Sequence, residues 1–439
     1  MAFLTDKSCE CMHGQLDLFA VPPTQTSIQS ARWSEYLPIS TIQGNTPLEF
    51  VIEGSGDDYL DLSSVMLYVR TKITQLNGDD LEAASDAAPI NLLLHSLFCQ
   101  VDVSLNNVLI SSSTSTYAYR SYIETLLTYG SDAKKSQFSS ELYYRDDPGR
   151  FNAVNREVQD GHHPNSGLQK RRGFMATSRE IDLIGRLHCD IFHQQKHLLN
   201  EISLKLKLIR SSNEFVLMGA NARLVITHAA IYARKIKLTP SIFLAHAKAL
   251  ESNNANYYMK RVVCKSIAIA QGLRDSQIEK VFTGQIPTRV VIGLVNNAAY
   301  NGTIDNNPFL FHHYDLTEAN IFVDGQLEGT SKSIVCNFGA NQFVRAYNSL
   351  FAGTGKLFND EGIDISREDY ANGYTLIAWD LTADGADDDH LNLIKSGSVR
   401  LSLKFANALP HTISCIVYGE FESLLTVDKH RQIVTDFTV

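Results

Sequence analysis

The sequence predicts an all-β fold of two tandem β-sandwich modules, each with a short inserted helix. Three observations point there. Strand signals outnumber helix signals, and segments of the first half recur in the same order in the second. The composition, 44% hydrophobic and 20% charged over 439 residues, is that of a globular chain with a large buried interior.

Residues 48–53 (LEFVIE) and 65–73 (VMLYVRTKI) are rich in β-branched and aromatic side chains and read as strands. In 98–105, apolar Val101, Val103 and Leu105 alternate with Asp102 and Ser104. Asn106-Asn107, which tolerates positive φ, then predicts a tight hairpin into 108–110. Residues 202–208 (ISLKLKL) form a period-two strand, and 224–232 (LVITHAAIY) close the half. Three helices are predicted. The first covers 117–129, with Gly130 as its C-terminal cap. The second covers 240–250, behind the cap residue Thr239 and with Pro240 at its first position. The third covers 342–351 and ends in Gly353 and Gly355. The polar stretches 131–180 and 353–373 read as long loops, of a length usually functional or placed at a partner interface.

The repeat carries the domain argument. Residues 65–69 (VMLYV) line up with 290–294 (VVIGL), 225 positions on, and at that spacing Arg120 meets Arg345, Tyr122 meets Tyr347 and Gly130 meets Gly355. A hairpin candidate precedes each helix, 103–107 (VSLNN) and 321–325 (IFVDG). Further on, 187–191 (LHCDI) matches 377–381 (IAWDL), 204–207 (LKLK) matches 401–404 (LSLK), and 230–232 (AIY) matches 416–418 (IVY). A period near 200 residues is too long for a solenoid repeat or a propeller blade and fits a duplicated sandwich.

The net charge of −9 argues against a protein that grips nucleic acid by neutralising phosphates, so no strong nucleic-acid binding is expected. The basic clusters Lys134-Lys135, Lys170-Arg171-Arg172 and Arg234-Lys235 are read as solvated charges. Seven cysteines, an odd number spread along the chain, are not a disulfide framework and favour synthesis in a reducing compartment. Cys9 and Cys11 lack the second pair of a zinc site. The first residues lack the apolar stretch of a signal peptide, and no apolar run approaches the ~20 residues of a membrane helix, so no membrane insertion is expected.

Residues 258–272 (YMKRVVCKSIAIAQG) and 284–295 (GQIPTRVVIGLV) resemble the major capsid proteins of Polinton (Maverick) elements and the related adintoviruses. Residues 27–36 (SIQSARWSEY) and 324–327 (DGQL) are similar to that family as well. The resemblance implies a double jelly roll, two eight-stranded sandwiches side by side in one chain. It implies that three chains form a homotrimer, a pseudo-hexameric capsomer that tiles an icosahedral shell with penton or minor capsid proteins as further partners. On this reading 1–30 is an N-terminal arm, 31–236 the first jelly roll, 237–256 a connecting helix, 257–425 the second jelly roll and 426–439 a C-terminal tail. Arm and tail would order against neighbours, and the stretches 131–180 and 353–395 would form outward or intersubunit surfaces.

Chemistry that would contradict a structural role is not apparent. Neither G-x-x-x-x-G-K-S/T, G-x-G-x-x-G after a strand, G-x-S-x-G nor H-E-x-x-H occurs. Gly353-Thr-Gly355-Lys follows a helix and reads as a capping turn. His162-His163 and His312-His313 read as surface pairs whose rings point apart, and the acidic run Asp384, Asp387, Asp388, Asp389 as a solvated loop. Asn301-Gly-Thr303 reads as a turn. No residue is assigned a catalytic, cofactor-binding or metal role, and no enzyme is expected. Two rival readings have nameable residues. A carbohydrate- or ligand-binding jelly roll would draw on Tyr143, Tyr144 and Trp379, and a cupin-like metal enzyme on the strand histidines His188 and His228.

Overall fold

Alternation along the strands builds the sandwiches. In the strand Leu204–Arg210, Leu204, Leu206 and Leu208 are buried while Lys205 and Lys207 stay partly exposed, the period of two that one wet face demands. The computed structural model describes residues 7–436 apart from 10, 43, 55, 159, 160, 162, 328–332, 361, 384 and 386–390.

The first half runs β1 (Ile28–Tyr36), β2 (Leu48–Ile52), β3 (Asp58–Thr74), β4 (Ala88–Pro89), α1 (Leu93–Ser96), β5 (Phe98–Leu105), β6 (Val108–Leu109), α2 (Tyr117–Thr128), α3 (Ser131–Lys135) and α4 (Ser166–Met175). It ends with β7 (Ile181–Arg186), β8 (Leu204–Arg210), α5 (Asn213–Val216), β9 (Leu217–Met218) and β10 (Arg223–Leu238). Helix α6 (Pro240–Leu250) leads to β11 (Ala255–Ile269), β12 (Asp275–Gln285), β13 (Arg289–Asn296), α7 (Asn297–Asn301), β14 (Leu316–Val323), β15 (Gln326–Leu327) and β16 (Ile334–Val335). Then come α8 (Val344–Gly353), α9 (Arg367–Ala371), β17 (Leu376–Asp380), β18 (Ser396–Phe405), β19 (Ile413–Val427) and β20 (Ile433–Thr435).

The sheets of the first half have the orders β1-β10-β3-β7 and β2-β8-β5-β6; those of the second have β11-β19-β13-β17 and β12-β18-β14-β15. Numbering the eight main strands of each half in chain order turns both pairs into 1-8-3-6 and 2-7-4-5. The chain is therefore a double jelly roll with one topology used twice. Additional strands decorate it: β4 pairs with β9, β16 with β14, and β20 with β19, which returns the C-terminal segment onto its own sandwich. The segment before β1 is exposed from residue 11 to residue 27, with one short 3-10 turn at Gly14–Leu16.

The repeat holds to the residue along β3 and β10, matched by β13 and β19. Met66 lies opposite Tyr232, and Val291, 225 positions after Met66, lies opposite Tyr418. Both hairpins close as expected, with Asn106, Asn107, Asp324 and Gly325 all at positive φ. Two matches need correction. Arg186 pairs with Met66 and Ala378 with Val291, so Asp380 corresponds to His188 and not to Asp190. Likewise Leu206 faces Val103 and Leu401 faces Ile321, so 401–404 corresponds to 206–209 and not to 204–207. Each slip is two residues. A shift of two returns every side chain to the same face, so apolar alternation alone cannot detect it.

Three further expectations change. Gly130 does not cap α2: its φ is −78°, and it precedes α3 directly. The Thr239 hydroxyl makes no cap bond to α6; it donates to the Ser27 carbonyl at 3.4 Å. The stretch 131–180 is no open loop, since it holds α3, a 3-10 turn at Gln137–Glu141 and α4, with Phe138, Tyr143, Phe151, Leu168 and Met175 in the core. After α8, Gly355 turns at φ +69° as a capping residue does.

Candidate functional site: the junction between the sandwiches

Helix α2 is buried from Tyr117 through Leu127, on every face. A helix wetted on no side has to lie between packed layers, and α2 lies between the two jelly rolls. Tyr122 stacks on Phe309 of the second half at 4.1 Å between ring centroids, and Tyr119 stacks on Tyr300 at 5.5 Å. Thr116, just before the helix, donates its hydroxyl to the Cys264 carbonyl of β11.

The polar residues of α2 organise a buried network. Arg120 donates to Glu124 one turn on at 2.8 Å and to Asp190 at 2.6 Å; Asp190 also accepts the Val262 N–H of β11 at 3.0 Å. Burial opposes charge on Glu124, but the Arg120 guanidinium and the His188 imidazole outweigh it and hold the carboxyl well below its usual range. At Asp190 burial wins over Arg120 and the carboxyl is raised. His188 Nδ1 lies 2.6 Å from Glu124, and His193 Nε2 lies 4.0 Å from the same carboxylate. Edge-on to His188, at 4.6 Å between ring centroids, is His95 of α1. His95 Nδ1 lies 2.9 Å from the Tyr117 hydroxyl and Nε2 lies 3.1 Å from Glu141; burial lowers its pKa despite that carboxylate. Gly185 makes room for Glu141, because a Cβ there would stand 2.2 Å from Oε1.

A second buried pair ties the 131–180 stretch to the second half. Asp146 and Arg171 of α4, both fully buried, meet at 2.6 Å. Asp146 also accepts from Asn165 and from Asn307, and its carbonyl accepts the Tyr374 hydroxyl. Lys134 donates to the carbonyls of Leu126 and Ile363, and burial pulls its ammonium down to about 7.

Lys134 makes stability depend on pH with a fixed sign. Its folded pKa lies below the unfolded value of 10.5, so the unfolded chain binds the extra proton between about pH 7 and 10. Folding free energy carries the penalty in full below pH 7 and loses it as pH rises. Compared with Lys134→Met, the wild-type chain is expected to gain a few kcal/mol of relative stability between pH 7 and 9.5. Urea denaturation of both at each pH checks this, and taking the difference cancels the buried cysteines and tyrosines, which titrate in the opposite sense.

Lys134, Arg171 and Arg172 are buried structural groups, not solvated charges; Lys135 and Lys170 remain at or near the surface. Arg234 approaches Asp61 at 3.7 Å, and Lys235 donates to the Glu53 carbonyl. His312 and His313 do not point apart: their rings stack at 4.5 Å, and each Nδ1 accepts a backbone N–H two residues on. His163 and Asn301 are exposed, while His162 and the acidic run 384–390, except Gly385, lie outside the described residues. Tyr143 and Trp379 are buried, and Tyr144 stacks on Phe174, so these three do not form an open aromatic platform. His188 follows β7 instead of lying on it, and it gathers with His95, His193 and two glutamates; His228 sits apart on β10 beside Tyr68. All seven cysteines are free thiols, Cys9 and Cys11 exposed. Among the described residues no helix is long and apolar enough to cross a membrane.

Sequence reading missed the network because its partners are remote along the chain. One local signal was available: Leu168, Arg171, Arg172 and Met175 recur at helical spacing, which places two arginines on the inward face of α4.

No family model matches the chain. An uncharacterized protein of Caenorhabditis elegans is 27% identical over 437 residues, covering 95% of this chain and all of that one. Among solved structures, a chain of the Sputnik virophage particle aligns with a TM-score of 0.66 at 11% identity, over 100% of this chain and 94% of its own. The PBCV-1 virus capsid aligns at 0.60 and 8% identity, over 96% of this chain and 100% of its own. The mavirus major capsid protein aligns at 0.54 and 10% identity, over 100% and 97%. The structural neighbours are double jelly-roll capsid proteins, and the likeness extends over whole chains.

Proposed function

We propose that this chain is a major capsid protein of the Polinton/Maverick and adintovirus type, which trimerises into pseudo-hexameric capsomers and builds an icosahedral shell. The observation that carries the reading is the use of one jelly-roll topology twice in a single chain, with α2 joining the two. Two similar sandwiches per chain give three chains six similar modules, so a closed trimer approximates six-fold packing. The segments 1–30, 31–236, 237–256, 257–425 and 426–439 act as arm, first module, connector, second module and tail.

Exposed apolar side chains supply material for contacts between copies. Phe358 is 99% exposed, and Leu391, Leu393 and Ile394 stand out from the same 353–395 stretch. In the N-terminal arm Leu16, Leu18, Phe19 and Val21 are exposed, followed by Trp33 on the edge strand β1. Burying such groups between subunits would drive assembly at about 25 cal/mol per Å² of apolar surface. Penton and minor capsid proteins are the further partners of such a shell, and synthesis in a reducing host compartment before incorporation into the virion suits the free cysteines. The role requires no catalysis.

Light scattering on the purified full chain tests the reading. The expected particle has three times the 48.9 kDa chain mass, or a larger assembly of such units. A stable monomer at micromolar concentration contradicts it.

A further inference from the structure

We propose that His95, Glu141 and His188 bind one zinc-like divalent ion, a metal site buried beside α2 and independent of the capsid reading. Their ligand atoms lie within 4.8 Å of one another, and all three residues are buried. Two zinc–ligand bonds of about 2.1 Å at the tetrahedral angle place ligand atoms about 3.4 Å apart. His95 Nε2 and Glu141 Oε2 already stand 3.1 Å apart, and a movement of the His188 ring that brings its Nε2 to about that spacing completes the set.

Three separate features favour a cation here. The first is the donor set: two imidazoles and one carboxylate suit zinc and leave a fourth position for water. The second is the outer partner of each histidine. His188 Nδ1 is held by Glu124 at 2.6 Å, which leaves Nε2 for the metal. His95 Nδ1 is held by the Tyr117 hydroxyl at 2.9 Å, which leaves Nε2 next to Glu141. A carboxylate or hydroxyl on the far nitrogen is what orients a metal-bound imidazole. The third is charge. Glu124, Glu141 and Asp190 are all buried, and Arg120 pairs with Glu124 and Asp190. Glu141 faces His95. A divalent ion between Glu141 and the two imidazoles sets a cation directly against the buried Glu141 carboxylate. On binding, the neutral His95 ring carries its single proton on Nδ1, toward the Tyr117 hydroxyl, instead of on Nε2, so this ring releases no net proton. His193, whose side chain is 40% exposed, lies 4.0 Å from Glu124 at the solvent side of the cluster.

The test uses the full chain in a Cys9→Ser/Cys11→Ser background, so that exposed thiols do not compete. After stripping with chelator, the protein is titrated with Zn²⁺ against a chromophoric chelator and, separately, with Co²⁺ followed by visible absorption. The expected result is one equivalent of Zn²⁺ and the intense bands of four- or five-coordinate Co²⁺. His188→Gln and Glu141→Gln should each weaken binding by at least about a hundredfold, and Tyr117→Phe by about 10–100-fold. Glu49→Gln, a partly exposed carboxylate on β2, should change nothing. Absence of stoichiometric Zn²⁺, a Co²⁺ spectrum like that of the hydrated ion, or wild-type affinity in His188→Gln/Glu141→Gln overturns the proposal. If a variant fails to fold, the Co²⁺ spectrum of the parent chain decides alone.

Discussion

Replacing Arg171 by methionine is expected to remove about 3–5 kcal/mol of stability. The guanidinium is fully buried; besides Asp146 it serves the carbonyls of Pro89 and Tyr144. Methionine fills much of its volume but leaves the Asp146 carboxylate buried without its cation, and uncompensated charge is what makes breaking such a pair costly. The sign of a second variant separates this cause from lost packing. Arg171→Met/Asp146→Leu removes both charges and should recover a substantial part of the loss, because replacing a whole buried pair by apolar groups is often close to neutral. Urea denaturation of both variants and the wild type, at one protein concentration, measures the difference. Equal losses in the single and double variants would show that packing, not the stranded carboxylate, sets the cost.

Phe309→Ala should cost a similar amount, about 3–5 kcal/mol, for a different reason. Phe309 is fully buried between α7 and β14 of the second half, yet its ring meets Tyr119, Tyr122 and Phe215 of the first. Truncation opens a cavity at the junction itself. The loss should therefore fall on the coupling between sandwiches as well as on total stability, and the melt is expected to separate into two transitions. Calorimetry of variant and wild type checks this; a single cooperative transition shifted down as a whole would mean that the junction is not where the two units are joined.

Legibility in the sequence followed the range of the interactions involved. Strand identity rests on alternation within a few residues, so 202–208 and 98–105 were readable, as was the Asn106-Asn107 turn, whose two residues need positive φ. The 225-residue repeat was readable because the same inward face recurs on β3 and β13. The slips at 187–191 and 204–207 mark the limit of that signal, since a two-residue shift preserves the face. Buried charge lay beyond it. Whether Lys134 is solvated depends on the Ile363 carbonyl, and whether Arg171 is solvated depends on Asp146. The histidine cluster is the extreme case. His95, Glu141 and His188 come from α1, a 3-10 turn and the segment after β7, and no spacing rule joins them.

The proposed assembly requires that the two like sandwiches pack against further copies of the chain. Electron cryomicroscopy of the purified full chain tests this most directly. The predicted result is three chains around one axis, six sandwiches in a ring, and a hexagonal outline alone or within closed shells. Particles holding one chain, or chains whose sandwiches do not close a ring, would contradict it.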